Sequence, residues 1–243
     1  MANRSGSSRR AFVHAAALTG TTLWVAGCAG AGAARPRGTK AADATVGGAE
    51  EVAPPEDLMR EHGVLKRVML VYEEIVRRVD ARQDFPPDAL ADAANVIRSF
   101  VEDYHEKLEE DYLFPRFEKA NTLVDLVRVL RTQHEAGRRV TEVVLQRAGA
   151  AALKDADNRA AVVGAIRQFN RMYGPHEARE DTVLFPAFRK IVSGHEFDSL
   201  GEAFEKKEDQ LFGDDGFEKV VDRVANIEKR LGIYDLSQFT PKP

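Results

Sequence analysis

The sequence predicts an all-α protein, an up-down-up-down four-helix bundle with a short helical C-terminal extension. Three observations predict it. Apolar residues recur at helical spacing from Glu56 onward. Alternating strand patterns are absent over the same stretch. Two long segments of that stretch repeat one another. With 44% hydrophobic residues in a chain of 243, there is enough apolar material for a sizeable core.

Residues 1–27 read as an export signal and not as part of the bundle. They hold three Arg and no Asp or Glu: a basic polar start, an apolar stretch over 11–26, then small residues. The apolar part is too short for a comfortable membrane span. Ser8-Arg9-Arg10-Ala11-Phe12-Val13 resembles a twin-arginine export motif, and Val25-Ala26-Gly27-Cys28 resembles a lipobox. These resemblances imply a signal peptide over 1–27, lipidation of Cys28, and a protein held at the periplasmic or outer face of the cell envelope. Residues 28–55 are rich in Ala and Gly and contain Pro36, Pro54 and Pro55, so they read as a flexible tether.

The bundle is expected over residues 56–192. The first helix, 56–81, carries the stripe Leu58, Leu65, Met69, Tyr72 and Ile75. The second, 87–115, follows Asp84-Phe85-Pro86-Pro87 and carries Leu90, Ala93, Ile97 and Phe100. The third, 122–149, follows Ala120-Asn121-Thr122 and carries Val124, Val127, Leu130, Val140 and Val144. The fourth, 157–191, follows Asp155-Ala156-Asp157-Asn158, with Gly174-Pro175 as a place where it would kink or split. The extension, 193–243, offers Leu200, Phe204 and Leu211, a turn at Gly213-Asp214-Asp215-Gly216, then Phe217, Val220, Val224, Ile227 and Leu231. Its apolar ending, through Tyr234, Leu236 and Phe239, is expected to pack.

The repeat carries the chemistry. His105-Glu106-Lys107-Leu108-Glu109 is followed by Leu113-Phe114-Pro115-Arg116-Phe117, and His176-Glu177-Ala178-Arg179-Glu180 by Leu184-Phe185-Pro186-Ala187-Phe188. Both obey H-E-x-x-E and then L-F-P-x-F, 71 residues apart. Upstream, His62 and His134 lie 72 apart. The midpoints between successive histidines, 83.5, 119.5 and 155, all fall on or beside expected turns, so four histidines on four helices share one level of the bundle. Glu109 and Glu180, four residues after a His, lie just along the same helix faces. Four imidazoles and two carboxylates inside a bundle are costly unless something binds them, and mixed His and carboxylate donors suit iron or manganese, with zinc also open. Two carboxylates can bridge a metal pair, and bundle cores house such centres.

Glu106 and Glu177 are placed either to orient neighbouring imidazoles, to add a ligand, or to sit as solvated flank. Tyr72, Tyr104 and Tyr173 lie within reach of the same level or serve as packing. The Phe-Pro pairs of both repeats are expected to end or kink their helices. His14 and His195 fall outside the repeat. A single Cys excludes an internal disulfide and a Cys-based zinc site. A net charge of −4 carries no nucleic-acid footprint. No nucleophile–base pair and no nucleotide-binding loop stands out, so any catalysis would be metal-based.

His62, His105-x-x-x-Glu109, His134 and His176-x-x-x-Glu180, with both L-F-P-x-F tails, resemble the hemerythrin HHE cation-binding domain over about residues 55–192. The resemblance implies a left-handed up-down four-helix bundle and a non-haem di-iron centre. All six residues would be ligands, with Glu109 and Glu180 bridging two iron ions. Oxygen carriers of that family use a fifth His four residues after the third-helix His, where this chain has Arg138. The resemblance therefore points away from reversible oxygen carriage and toward the branch with iron–sulfur-repair and iron- or oxygen-sensing members. The N-terminal Cys module of the repair proteins is missing. The implied role is binding or sensing of oxygen, nitric oxide or peroxide. Peroxide breakdown, ferrous oxidation, nitric oxide reduction, or an envelope scaffold with a vestigial site are the alternatives. The sequence names no redox partner.

Overall fold

The computed structural model describes residues 53–241. The export signal, Cys28 and almost all of the tether lie outside the described residues. Within them the chain forms six helices and no strand.

Helix α1 spans Pro54–Asp80. It starts two residues before the expected boundary, because Pro54 and Pro55 occupy its first turn, where a missing N–H costs nothing. Both prolines are buried, so they belong to the fold and not to the tether. Glu56 and Asp57 in the first turn and Arg77 and Arg78 in the last complement the helix dipole.

Helix α2 opens at Pro87 and runs without a break to Lys119. It is α-helical over Pro87–Val96, π-helical over Ile97–His105, and π-helical again over Glu109–Leu113. A turn with left-handed Asn121 and Leu123 leads into α3, Val124–Arg147. Asp155 caps α4, Ala156–Arg179, by accepting from the Asn158 N–H at 2.7 Å. Helix α4 passes through Gly174-Pro175 without splitting and continues through the π-turn Glu180–Leu184 into Phe185–Phe188.

The expected helix end at Pro115 is corrected here: α2 continues through its proline to Lys119, and α4, expected to 191, runs through Pro186 to Phe188. The reason lies in the preceding turn. A proline ring displaces the carbonyl four residues back and offers no N–H. In both repeats the turn before it has already widened to π geometry, with the Phe114 N–H bonded to the Glu109 carbonyl and the Phe185 N–H to the Glu180 carbonyl.

Helices α1, α2, α3 and α4 contact one another as a closed ring of neighbours, with α3 and α4 in the most extensive contact. Their inward faces hold Leu58, Leu65, Tyr72, Phe100, Leu130, Ile166 and Phe169, all essentially inaccessible. Helix α5, Gly194–Phe212, and helix α6, Gly216–Leu231, both lie against α1 and α2. Phe212 meets Tyr104 edge-on at 5.5 Å, and Phe204 meets Tyr112 at the same distance. The Arg67 guanidinium donates to both Glu228 oxygens, at 2.9 and 2.6 Å, tying α1 to α6.

The chain's ending differs from expectation. Leu231 is buried and Ile233 packs against the core, but Leu236 is 81% exposed and Phe239 55%. Gly232, left-handed at φ 68°, ends α6 and turns the chain away. Asp235 then accepts from the Ser237 N–H, so the 3₁₀ turn Leu236–Phe239 is supported locally.

Candidate metal centre

Each histidine of the repeat is delivered by one helix of the ring, and all four are buried to 4% exposure or less. His62 on α1 and His105 on α2 face each other, Nε2 to Nε2, at 3.0 Å. His134 on α3 and His176 on α4 do the same at 3.3 Å. Glu109 and Glu180 lie between the two pairs. Glu180 sends Oε1 to His176 Nε2 at 3.1 Å and Oε2 to His62 Nε2 at 3.4 Å. Glu109 Oε2 is 3.4 Å from His134 Nε2 and 3.9 Å from His105 Nε2. The structure thus brings together all six residues singled out by the repeat. Two overlapping donor sets result: Glu109, His134, His176 and Glu180 in one, and His62, His105 and Glu109 in the other.

The outer nitrogen of every imidazole is also held. His62 Nδ1 lies 2.7 Å from Asp181, His105 Nδ1 2.9 Å from Glu61, His134 Nδ1 3.1 Å from Glu110, and His176 Nδ1 2.9 Å from Gln133 Oε1. All four partners are acceptors, so each Nδ1 carries a hydrogen, and a ring in its neutral form presents the Nε2 lone pair inward. These four partners were not read from the sequence, although a signal was present. Each sits directly beside a repeat residue: Glu61 and Gln133 precede His62 and His134, and Glu110 and Asp181 follow Glu109 and Glu180. Glu61 and Gln133 serve a histidine of their own hairpin, whereas Glu110 and Asp181 serve one of the other.

The aromatic tails close the site from below. Phe114 stacks on His134 and Phe185 on His62, each with ring centroids 5.5 Å apart. Phe117 and Phe188 meet each other at 5.9 Å. The first Phe of each L-F-P-x-F tail therefore seats a histidine of the opposite hairpin, and the last Phe joins the two tails.

Glu106 and Glu177 make no hydrogen bond to an imidazole, so neither orients one; Glu106 does share a third group of donors with Glu110 and His134, all within 4.8 Å, whereas Glu177 joins none. Glu106 accepts from the Tyr173 hydroxyl at 2.5 Å and pairs with Arg138 at 2.8 Å. Glu177 pairs with Lys66. Neither is a solvated flank, for their exposures are 1% and 5%. Tyr173 reaches Glu106 because position 137 is glycine: a Cβ there would lie 2.0 Å from the Tyr173 oxygen. Tyr72 and Tyr104 are packing residues, edge-on to Phe169 and Phe212 respectively. His195 is exposed at the start of α5, away from the site, and His14 lies outside the described residues.

The electrostatics of this cluster are unbalanced. Burial and the neighbouring Glu180 charge push Glu109 well above the usual carboxylate range. Burial also acts upward on Glu180, but His176 and His62 outweigh it and hold that carboxyl well below. Burial lowers His134 to about 4 and also lowers His105. His62 goes the other way: burial would lower it, but bonds to Asp181 and Glu180 lift it to about 9. Both oxygens of Glu109 and both of Glu180 are buried without a well-formed hydrogen bond among the described residues. Convergent lone pairs and under-satisfied buried carboxylates are a destabilising arrangement that a divalent cation resolves. The donor set is chemically right for one: neutral imidazole nitrogens with fixed outer hydrogens, plus carboxylate oxygens.

Fold and site together define a metal-binding helical bundle. The chain belongs to the hemerythrin HHE cation binding domain family, whose model matches residues 53–153 and again 125–232. It is 54% identical over 190 residues to uncharacterized proteins of Mycobacterium bovis and of two Mycobacterium tuberculosis strains, covering 78% of this chain and 74% of each relative. No solved structure matches the chain.

Proposed function

We propose that the protein is an exported, lipid-anchored di-iron protein that binds or senses a small ligand: oxygen, nitric oxide or peroxide. The observation that supports this reading is the sharing of carboxylates between two imidazole pairs. His62 with His105 would hold one metal and His134 with His176 the other, with Glu109 and Glu180 bridging. Six protein donors for two metals leave coordination positions for an incoming molecule. Iron when bound supplies redox chemistry and an affinity for diatomic ligands. The chain's residues fix the imidazoles, hold Glu180 ionised through His176 and His62, and exclude bulk water. The bundle is read as up-down-up-down, which puts the four histidines at one height. Arg138 occupies the position of the fifth histidine of oxygen carriers, and its guanidinium is engaged by Glu106 and Glu110, each at 2.8 Å. Reversible oxygen carriage is therefore not the proposed role.

The test is metal content per chain, with an optical spectrum, on the full-length protein purified anaerobically. About two irons per chain are expected, with bands that change on exposure to nitric oxide, oxygen or peroxide. Glu109→Ala and Glu180→Ala should each lose most of the metal, while His195→Ala should retain it. Equal metal content in all three variants would sink the ligand assignment. Continuous consumption of peroxide or nitric oxide would move the protein from binder to enzyme.

A further inference from the structure

The internal repeat also builds two latches beside the buried site, and they are unequal. The residue four positions after His134 is Arg138, and it pairs with Glu106, one position after His105. The residue four positions after His62 is Lys66, and it pairs with Glu177, one position after His176. One pair bridges the α2–α3 seam and the other the α1–α4 seam. On the α2–α3 side the guanidinium contacts Glu106, Glu110 and the Glu102 carbonyl, and its side chain is 26% exposed. Arg98 staples the same seam through Glu142 at 3.0 Å. On the α1–α4 side a lysine, 51% exposed, reaches over a carboxylate that is 6% exposed. The second oxygen of that carboxylate, Glu177 Oε2, is buried with no hydrogen-bond partner among the described residues. Near it, Gly174 faces Met69 at ordinary van der Waals distance, 3.8 Å for an added Cβ, and Asn170 Nδ2 donates to the Met69 carbonyl at 3.0 Å, so the lysine is the movable part of this seam. The remaining sides are closed, α1 and α2 by the α5–α6 hairpin and α3 against α4 by their extended contact.

We propose that small molecules reach the buried site through the α1–α4 seam, with the Lys66–Glu177 ion pair as its gate; this rests on the site being the metal centre proposed above. A lysine is a single flexible point charge, and an ion pair half open to water is weak and salt-sensitive. An arginine holding three acceptors is a far stiffer closure. Swinging Lys66 aside uncovers Glu177, which lies one helical turn before Asp181, the carboxylate that bonds His62 and is itself 35% exposed.

Two rates on the full-length chain test the gate. The first is carbethoxylation of His105, the neutral ring facing His62, by diethyl pyrocarbonate in the metal-free protein, read by mass spectrometry. The second is nitric oxide association with the iron-loaded protein, read by stopped-flow absorbance. Lys66→Ala should raise both by about threefold or more, and high salt should do the same to the unmutated protein. Lys66→Arg should restore slow entry, and Arg138→Ala should leave both rates near their starting values. Unchanged rates in Lys66→Ala and in high salt would overturn the gate, as would acceleration by Arg138→Ala alone. A chain that takes up no iron, yet whose His105 reacts faster in Lys66→Ala, would uphold the gate and sink the metal reading. A chain that binds iron with entry insensitive to Lys66 would do the reverse.

Discussion

At His62 the metal-free protein holds a proton that a metal must displace. Its folded pKa, about 9, lies above the ordinary 6.5. The bonds to Asp181 and Glu180 therefore stabilise the metal-free fold fully below pH 6.5, and that contribution fades as pH rises through 9. His134, lowered to about 4, has the opposite sign: its contribution is present above 6.5 and is lost as pH falls through 4. Metal uptake at pH 7 should thus release a proton from His62. Apparent affinity should rise by about tenfold per pH unit up to the His62 pKa. Dye-monitored proton release during cobalt or iron titration checks this, and Asp181→Asn should reduce the release. The six donors were legible in the sequence because i, i+4 spacing and a repeat of 71 residues are local facts. Their hydrogen-bond partners were not, because Asp181 serves a histidine 119 positions away and Glu110 one 24 positions away. The ion pairs of Glu106 and Glu177 were missed for the same reason, since the cations that neutralise them come from other helices.

Helix α3 and helix α4 approach closely where Gly137 faces Tyr173. Gly137→Ala would place a carbon 2.0 Å from the Tyr173 oxygen and 2.8 Å from the ring carbon that bears it. Destabilisation of about 1–3 kcal/mol is expected from such overpacking, read as a lower denaturation midpoint with unchanged slope. Adding Tyr173→Phe should recover part of the loss, because the oxygen is the nearest atom, and the non-additivity of the double mutant measures the contact. At this scale the turns were legible from Asp84-Phe85-Pro86-Pro87 and its counterparts, since Pro and Asp signals act locally. The passage of α2 through Pro115 was not. Proline predicts a break, and only the wider turns at Glu109–Leu113 and Glu180–Leu184 show how the break is avoided.

For the molecule as a whole, the α5–α6 hairpin is part of the core and not an appendix. Leu200, Phe204, Val220, Val224, Ile227 and Leu231 are buried in it. At about 1.5–3 kcal/mol each, these six rival the ~5–15 kcal/mol by which a typical domain is stable. A chain ended at residue 193 should therefore lose its cooperative thermal transition, which circular dichroism would show. The sequence foresaw these two helices, but not that they cover α1 and α2, because a hydrophobic stripe reveals a face and not its partner. The apolar tail was misjudged for a related reason: Leu236 and Phe239 have the composition of packing residues but lie beyond Gly232, where the chain has left the bundle. The proposed export and anchoring belong to this scale too. Replacing Cys28 with Ser should shift the protein from the membrane fraction to the soluble envelope fraction on cell fractionation.

The cross-holding of histidines has a consequence for ancestry. Each hairpin supplies two imidazoles, one carboxylate, one acceptor for its own ring and one acceptor for a ring of its counterpart. It also supplies a Phe that seats the counterpart's histidine. A single hairpin of this pattern, paired with an identical copy about a twofold axis, would reproduce the whole constellation from one gene half as long. The molecule can be described as a symmetric dimer written into one polypeptide. The two halves differ at one point of that symmetry: an arginine and a tyrosine meet the carboxylate of Glu106, and a single lysine meets that of Glu177.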